Sequence, residues 1–226
     1  MAKKEPSSIN KKGIILLSGG VDSAVCLYIA RSRGFSLTAL IFDYGQRHKK
    51  EIGFARKIAS INKINYHIVS FAMPWTRSSL TQEKIGVGLD RDLKKKEIPL
   101  TYVSARNTIF LSFAFSLSEA IGAKSIFIGA HTQDYSGYPD CRREFLMSFK
   151  KAANLGLSKK GIDIKAPLIN KSKKEIIRTG LSLGVPFQYT WSCYQGGKFA
   201  CGRCDSCRFR INAFNELGLR DPVLSK

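Results

Sequence analysis

Short apolar runs and amphipathic segments alternate along the first part of the chain. Residues 13–17 form a continuous apolar run of the kind found in a strand that is buried on both faces. Over residues 22–33 the apolar positions recur at helical spacing, and Gly34 supplies a stop signal for that helix. The pattern therefore predicts a strand, a tight glycine-containing turn and a helix in direct succession.

The same alternation continues beyond this first unit. Residues 36–42 and 66–71 are predicted strands, and residues 48–61 between them carry apolar side chains on one helical face. Strands and helices that alternate at this spacing form right-handed crossovers and a parallel, doubly wound sheet. Ligands bind such sheets outside the carboxyl ends of the strands, so we expect the functional site at that edge.

The second half of the chain adds elements to the sheet. Residues 106–121 predict a strongly apolar helix, and residues 142–155 predict a further helix with one buried face. Residues 124–130 and 163–166 predict a fourth and a fifth strand. We therefore expect an α/β fold with a doubly wound, mostly parallel, five-stranded sheet of the Rossmann-like type.

Two segments fall outside this alternation. Residues 72–104 lack periodicity and contain several Pro and Gly residues, so we expect a long excursion without regular structure that forms a flap over the site. Ser172 and Glu175 have the spacing of a capping box, which predicts a helix that begins there and ends near Leu183.

The length of 226 residues fits one domain, residues 1–226, with a small C-terminal subregion at residues 186–226. No apolar run approaches the roughly 18 residues of a membrane-spanning helix. The first residues also lack the apolar centre of a secretory signal peptide, so we expect a cytoplasmic protein without a membrane partner.

The chain is strongly basic. It carries 37 Lys and Arg against 17 Asp and Glu, a formal net charge of +20 that attracts polyanions. These basic residues are dispersed in short runs, most of them in loops or at predicted helix ends, which favours a solvated surface over a dedicated nucleic-acid face. We therefore expect no stable nucleic-acid partner.

The predicted turn after the first strand reads Ser-Gly-Gly-Val-Asp-Ser over residues 18–23, which we call the phosphate turn. A strand that runs through such a turn into a helix directs several backbone N–H groups and a helix N-terminus at one small cavity, which suits a pyrophosphate. Ser18 and Ser23 add hydroxyl donors, and Asp22 can cap the helix or bind Mg²⁺.

The phosphate turn lacks the lysine of a Walker A loop and does not match the dinucleotide-binding pattern. It resembles the PP-loop of the ATP pyrophosphatases, and this resemblance implies attack on the α-phosphate of ATP with release of pyrophosphate. We assign ATP contacts to the turn and its flanks, although Cys26 is most simply a small core residue. The predicted ATP-binding residues are Leu17, Ser18, Gly19, Gly20, Val21, Asp22, Ser23, Ala24, Val25, Cys26 and Leu27.

Four of the six cysteines crowd into a short C-terminal segment, as Cys193, Cys201, Cys204 and Cys207. The last three are separated by two residues each, a spacing that lets one loop wrap a single tetrahedral ion. Sites made of four thiolates are usually structural zinc sites, and an iron–sulfur cluster is the alternative. We therefore predict a structural Zn²⁺ site in a reducing compartment.

Taken together, the motifs resemble the 7-cyano-7-deazaguanine synthase family, which forms the nitrile of a queuosine precursor. The resemblance extends over residues 14–222, and it departs from the family pattern at Ser104, where a proline is expected. The matching segments are residues 18–23, 43–48 with Glu51, 102–107, 129–130, 134–142, 191–194, 201–207 and 221–222.

This resemblance implies a reaction in which 7-carboxy-7-deazaguanine, ammonia and ATP give the 7-cyano base, with Mg²⁺ as a cofactor. Adenylation would turn the poorly electrophilic carboxylate into an acyl-adenylate, which ammonia would convert to an amide. A second activation followed by elimination would give the nitrile. The resemblance also suggests a homodimer, and the apolar helix at residues 108–121 is a candidate dimer face.

The resemblance also supplies candidate site residues. Positively charged groups near the predicted strand ends and at a helix start suit charge stabilisation at the α-phosphate. Polar groups that follow a rigid turn suit contacts with the base. The catalytic candidates are Arg47, His48 and Arg106, and the substrate-binding candidates are Tyr44, Gln46, Asp140, Cys141 and Arg142.

Three alternatives stay open at this point. A PP-loop enzyme that modifies tRNA would account for the net charge of +20. A relative that conjugates the deazaguanine to another partner would keep the same motifs. A nucleic-acid-binding zinc protein would account for the cysteines and the charge, but it leaves the phosphate turn unexplained.

Overall fold

The computed structural model describes residues 11–93, 98–131 and 138–224. Within them, strands and helices alternate as the hydrophobic pattern predicts; residues 134–137, part of one motif, lie outside this description. The strands are β1 (Lys11–Leu16), β2 (Phe35–Asp43), β3 (Asn65–Ser70), β4 (Ser125–Phe127) and β5 (Asp163–Lys165). The helices are α1 (Val21–Ser32), α2 (Lys50–Ile61), α3 (Arg106–Ile121), α4 (Arg143–Leu155), α5 (Lys173–Ser182) and α6 (Asp205–Asn215), with short 3₁₀ turns at Pro139–Cys141 and Phe187–Tyr189.

The strands form one five-stranded sheet in the order β3-β2-β1-β4-β5. All of its pairings are parallel, with Ile15 opposite Ala39 on one side and Phe127 on the other. The chain moves outward from β1 to β3 and then crosses to β4 on the other side of β1. The edge beyond β1 and β4 is therefore the topological switch point, where such sheets bind ligands.

Alternate residues of β1 pack into the two faces of the fold. Ile15 lies in a buried cluster with side chains of α1, α2 and α5, whereas Ile14 and Leu16 lie in a second cluster with those of α3 and α4. Ile14 and Ile15 are both fully buried, as a central strand covered on both faces requires. The doubly wound α/β fold is thereby confirmed.

Most element boundaries lie within one or two residues of the predicted ones, and three elements illustrate the differences. β4 is shorter than the predicted strand at residues 124–130, because β1 turns away into the phosphate turn and no longer pairs with it. α2 begins two residues after the predicted start at residue 48. α6 begins directly after Cys204 and contains Cys207; the sequence pattern does not predict it, since the ligand spacing there obscures helical periodicity.

The long excursion contains no helix or strand within residues 72–93 and 98–104, as expected. Residues 89 and 90 of the excursion contact the cysteine segment: Leu89 forms an antiparallel bridge with Cys204, and the Asp90 N–H donates to the Arg203 carbonyl at 3.1 Å. The excursion thus borders the site and links to the C-terminal subregion. None of the helices described is long and apolar enough to cross a membrane.

Candidate active site

A cleft of about 290 Å³ lies at the carboxyl edge of the sheet, where the switch point predicts a ligand site. Its walls come from the phosphate turn, the loop after β2, the first turn of α3 and the segment that precedes the first zinc-ligand candidate. The lining includes Ser18, Asp22, Tyr44, Arg106 and Trp191. Residues far apart in sequence therefore share one cavity.

Backbone geometry holds the phosphate turn against α2. Gly19 has a left-handed φ of +79°, and a Cβ there would lie 2.3 Å from the Glu51 carbonyl oxygen. The Gly19 carbonyl accepts a hydrogen bond from the Trp191 N–H at 2.8 Å. A side chain at this position would force the turn away from α2, so the glycine is required by close approach as well as by φ.

The two serine hydroxyls of the turn bond to each other at 3.0 Å. Ser23 Oγ also accepts from the Ser18 N–H at 3.2 Å, and Ser18 Oγ accepts from the Gly20 N–H at 3.3 Å. No side chain caps α1, so Asp22 does not take the capping role that was one of its two predicted roles. The uncapped start of α1 leaves backbone N–H donors without a side-chain partner, and such donors suit an anion.

Asp22 is paired with a lysine from a distant helix. Lys173 Nζ, at the start of α5, donates to Asp22 Oδ1 at 2.7 Å and lies 3.1 Å from His131 Nε2. Burial alone would raise the pKa of Asp22, but the Lys173 ammonium and the His131 ring hold that pKa well below its usual value. Asp22 is therefore a stable carboxylate and Lys173 a cation at the mouth of the phosphate turn.

The later part of the predicted ATP-binding segment does not face the cleft. The side chains of this part are fully buried in the core cluster that α1 shares with α2 and α5, since consecutive helical positions point in different directions. Burial also raises the pKa of the Cys26 thiol, in keeping with an inert core residue. The residues concerned are Ala24, Val25, Cys26 and Leu27; Gly19, too, is not among the lining residues.

The loop after β2 places a polar cluster in the opposite wall. Arg106 Nη1 donates to the Tyr44 hydroxyl at 3.1 Å. Gln46 holds the loop, because its Oε1 accepts from the Tyr44 N–H at 2.7 Å and its Nε2 donates to the Phe42 carbonyl at 3.0 Å and to Glu51 Oε1 at 3.2 Å. Tyr44, Gln46 and Arg106 all line the cleft, where the sequence places them.

Burial shifts two acids of this cluster upward. Burial raises the pKa of Glu51 to about 7, and the nearby Arg106 guanidinium and the Gln46 amide only partly oppose it. Burial likewise raises the pKa of Tyr44 to about 12, against the lowering effect of Arg106. At neutral pH the Tyr44 phenol is therefore protonated, while Glu51 is divided between its charged and neutral forms.

Of the other two catalytic candidates, His48 lines the cleft and Arg47 does not. Arg47 is exposed and donates from its guanidinium to the carbonyls of Ser79 and Ile85, at 3.3 Å each, so it tethers the excursion. His48 Nε2 lies 2.9 Å from the Tyr194 carbonyl and donates to it, because a carbonyl can only accept.

Of the predicted substrate-binding residues 140–142, one lines the cleft and two do not. Asp140 is buried, and its Oδ2 accepts from the Asn107 N–H at 2.9 Å, so it caps the start of α3 and is not among the lining residues. Arg142 is exposed at the start of α4, also outside the lining. Cys141 does line the cleft, where burial raises the pKa of its thiol to about 12 and the Asn107 amide donates to its Sγ at 3.2 Å.

The four C-terminal cysteines form a compact thiol cluster. The Sγ atoms of Cys193, Cys201, Cys204 and Cys207 all lie within 4.8 Å of one another. A tetrahedral zinc ion with Zn–S bonds of about 2.3 Å requires sulfur separations of about 3.8 Å, so this set can close on zinc with small movements. Backbone N–H groups of Cys201 and Cys204 donate to Sγ atoms at 3.3 Å each, as thiolate ligands require.

The segment between the cleft and the thiol cluster joins the two. Trp191 bonds the phosphate turn through its N–H and the Cys193 carbonyl through its indole, at 3.0 Å. Its ring stacks on Phe54 of α2, with ring centroids 5.6 Å apart, and Lys50 Nζ lies 3.9 Å from its centroid. Tyr194, the next residue after Cys193, holds His48. The cysteine segment therefore forms one wall of the cleft.

Sequence reasoning missed several residues of this site. In the sequence, Lys173 lies within a predicted capping box, which α5 does carry between Ser172 and Glu175. His131 and Arg210 also line the cleft. Arg210 makes a buried two-point ion pair with Asp221, at 2.7 and 2.8 Å. The missing lysine of the phosphate turn was the one available signal, because it requires a cation from elsewhere.

Comparison with known proteins shows the family to which this chain belongs. The family model described as queuosine biosynthesis protein QueC matches residues 12–218. The chain belongs to the QueC family. It is 49% identical over 221 residues to a protein of Trichodesmium erythraeum named 7-cyano-7-deazaguanine synthase, covering 94% of this chain and 100% of that relative. A protein of the same name from Clostridium kluyveri is 50% identical over 223 residues, covering 96% and 98%.

Among solved structures, the QueC-family chain is similar to NMN synthetase from Francisella tularensis. The TM-score is 0.52 at 17% identity, and the match covers 94% of this chain and 79% of that one. Similarity at this level of identity supports the fold alone. The fold is thus shared with an enzyme of a different name, whereas the family rests on sequence.

Proposed function

We propose that this chain is a 7-cyano-7-deazaguanine synthase, an ATP-dependent ligase that converts 7-carboxy-7-deazaguanine and ammonia to the nitrile. The observation that carries the proposal is the shared cleft: the phosphate turn and the Tyr44–Arg106 cluster face one cavity. ATP and a planar carboxylate can therefore meet there. Relatives of that name are 49% and 50% identical to this chain over nearly its full length, which supports the same substrate.

The first task of the site would be to activate a carboxylate. A carboxylate oxygen attacks the α-phosphorus, the P–O bond to the β-phosphate breaks, and pyrophosphate leaves with the electron pair. The uncapped N-terminus of α1 and the backbone of Gly20 would bind the departing pyrophosphate. Lys173 would supply the positive charge that the phosphate turn lacks, since it already lies at the turn beside Asp22.

The opposite wall would hold the substrate. The Arg106 guanidinium offers donors that match a carboxylate, and its contact with Tyr44 fixes its direction. The neutral Tyr44 phenol and the Phe110 ring provide a surface on which a flat heterocycle can stack, with ring centroids 5.6 Å apart. Ammonia then attacks the acyl-adenylate, and a second activation at the amide oxygen precedes elimination to the nitrile.

Two metals belong to the proposal. Asp22 fits Mg²⁺, because it is an ionised carboxylate beside the phosphate turn, and this ion usually takes one or two carboxylates with phosphate oxygens. When bound, the ion would neutralise charge on the phosphates. The four thiols would hold a structural Zn²⁺, which closes the wall that contains Trp191.

We also infer a cytoplasmic homodimer. Free thiols at a metal site favour a reducing compartment. The apolar helix α3 leaves Phe113 38% exposed beside Phe71, with ring centroids 5.7 Å apart, which suits burial against a second copy. Light scattering of the wild type and of Phe113→Glu tests this assembly, and a monomeric wild type would contradict it.

The activity test uses purified chain with 7-carboxy-7-deazaguanine, ATP, Mg²⁺ and ammonium, with mass spectrometry of the base. We expect the amide and then the nitrile, both dependent on ATP. The net charge of +20 motivates a parallel assay with bulk tRNA. Tight tRNA binding without turnover of the free base would contradict the proposal and favour a tRNA-modifying enzyme.

A further inference from the structure

The proposed reaction strips every proton from its nitrogen, and this inference rests on that reaction. Ammonia first forms a C–N bond at the acyl carbon, the C–O bond to AMP breaks with its electron pair, and one N–H proton is lost. The amide oxygen then bonds to the α-phosphorus of a second ATP, pyrophosphate leaves, and a second N–H proton is lost. In the elimination the last proton leaves the nitrogen, and the electron pair of that N–H bond becomes the third C–N bond. The C–O bond to AMP breaks, and AMP leaves with its electron pair.

Each of these steps requires a proton acceptor in the cleft, and most titratable groups there are already engaged. Asp22 is bound to Lys173, and His131 Nε2 lies against the same lysine. His48 donates from Nε2 to the Tyr194 carbonyl, and its Nδ1 atom is buried, so a proton accepted there could not pass directly to solvent. Tyr44 accepts from Arg106 and is protonated at neutral pH.

Glu51 is placed differently from these groups. It lies in the first turn of α2 and lines the cleft, and its main chain abuts Gly19 of the phosphate turn. Gln46 donates to one oxygen, Oε1, at 3.2 Å, which fixes the carboxylate without adding charge. The charged and titratable groups that face it are Arg106 of α3 and Tyr44 of the loop after β2.

We propose that Glu51 is the catalytic base that accepts the protons of the nitrogen during amide and nitrile formation. It lies between the wall that binds the phosphates and the wall that holds the carboxylate, where the nitrogen must approach. After each step the proton passes from the Glu51 carboxyl to solvent through the open cleft. Burial places the pKa of this carboxyl at about 7, which suits a base that must be reloaded near neutral pH.

The test separates the nitrogen steps from the activation step. Glu51→Gln keeps the shape and the contact with Gln46 but removes the base. Glu144→Gln is the matched control, since Glu144 is an exposed acid in the first turn of α4 and is not among the cleft-lining residues. Three rates are measured for each variant. They are the exchange of pyrophosphate into ATP that depends on 7-carboxy-7-deazaguanine, hydroxamate formation with hydroxylamine, and ammonia-dependent product formation.

We expect Glu51→Gln to keep exchange and hydroxamate formation within about threefold of wild type, because adenylation needs no base and hydroxylamine is a better nucleophile near neutral pH. Ammonia-dependent product should fall by about 100-fold or more, the usual contribution of a general base. Glu51→Asp should restore part of this rate, with the wild-type rise in activity through about pH 7 at a fixed concentration of free ammonia.

Two results would overturn the assignment. One is ammonia-dependent turnover by Glu51→Gln within threefold of wild type. The other is a parallel loss of exchange, hydroxamate and product, which would make Glu51 a structural residue of the loop. Absence of pyrophosphate exchange that depends on 7-carboxy-7-deazaguanine in the wild type is a distinct outcome. It overturns the proposed function and this inference with it.

Discussion

At the scale of single residues, Lys173 places a positive charge beside the phosphate turn, which contains no lysine of its own. It contacts Asp22 across a sequence separation of 151 residues, with both side chains partly or largely buried. The sequence around these residues does not predict the pair. Lys173 follows the residue that caps α5, and Asp22 is predicted to cap a helix or to bind Mg²⁺. Only the packing of α5 beside α1 brings the two together, so a pattern read along the chain cannot predict the contact.

Lys173→Ala should raise the KM for ATP about 10-fold or more, because a charge-assisted contact worth at least ~1.4 kcal/mol with the phosphates is lost. Lys174→Ala is the control, since Lys174 lies 3.5 Å from Glu216 at the surface. Steady-state kinetics with varied ATP measure both. Equal effects in the two variants would contradict a specific role for Lys173.

Glu51 also predicts a pH-dependent stability. The pKa of Glu51 is about 4.5 in the unfolded chain and is raised to about 7 in the folded state. Its favourable contribution to the free energy of unfolding is therefore complete below pH 4.5 and is lost as the pH rises through about 7. Glu51→Gln removes the cost of a buried charge. The free energy of unfolding of Glu51→Gln should therefore exceed that of wild type by roughly 1–3 kcal/mol at pH 8, with no such gain at pH 4.5.

Urea denaturation at the two pH values measures this difference in the free energy of unfolding. Glu144→Gln, which alters an exposed acid, should show no comparable dependence on pH. A Glu51→Gln gain that is the same at both pH values would show that the carboxyl does not titrate in this range.

At the scale of elements, the sequence predicts what periodicity and turn chemistry control. The helix at residues 106–121 has the predicted bounds, and Ser172 and Glu175 form the predicted capping box. The structure differs from the sequence prediction where tertiary contacts decide. Asp140 caps α3 and is not among the residues that line the cleft, because the chain returns to that helix start after β4. Arg47 turns to the excursion, a partner that no local pattern specifies.

The contact between the phosphate turn and α2 gives a prediction at this scale. Gly19→Ala should lower the free energy of unfolding by about 2–4 kcal/mol and abolish ATP binding, because its Cβ would lie 2.3 Å from the Glu51 carbonyl at a φ of +79°. Gly53→Ala in α2 meets nothing within 4 Å and should be neutral or stabilising by up to about 1 kcal/mol.

Denaturant titration and calorimetric ATP binding measure the two glycine variants. Normal nucleotide affinity in Gly19→Ala would contradict the close approach of the turn to α2.

At the scale of the whole molecule, the C-terminal subregion contacts the phosphate turn and α2. The thiol cluster packs with Trp191 and with Phe54 of α2, and Trp191 bonds the phosphate turn. The sequence predicts the metal ligands because their spacing is local. Their position as a wall of the cleft depends on contacts between distant segments, and spacing holds no information about those contacts. We propose that residues 1–226 unfold as a single domain.

Loss of the metal should therefore reach the nucleotide site. Cys204→Ser should lower zinc content from about one ion per chain and weaken ATP binding about 10-fold or more, because Trp191 loses its fixed partner at Cys193. Cys26→Ala is the control, since it deletes a buried thiol of the core and should retain the zinc. Elemental analysis with ATP titration measures both, and unchanged ATP affinity in zinc-free Cys204→Ser would contradict the coupling.

The central claim is that the carboxylate is activated at the α-phosphate of ATP on the way to a nitrile. It is tested most directly with 7-carboxy-7-deazaguanine labelled with ¹⁸O in both carboxylate oxygens, followed by mass spectrometry of the nucleotide products. We predict AMP that carries one labelled oxygen per activation, together with unlabelled pyrophosphate and the nitrile. ADP with labelled phosphate, or AMP without label, would contradict the account.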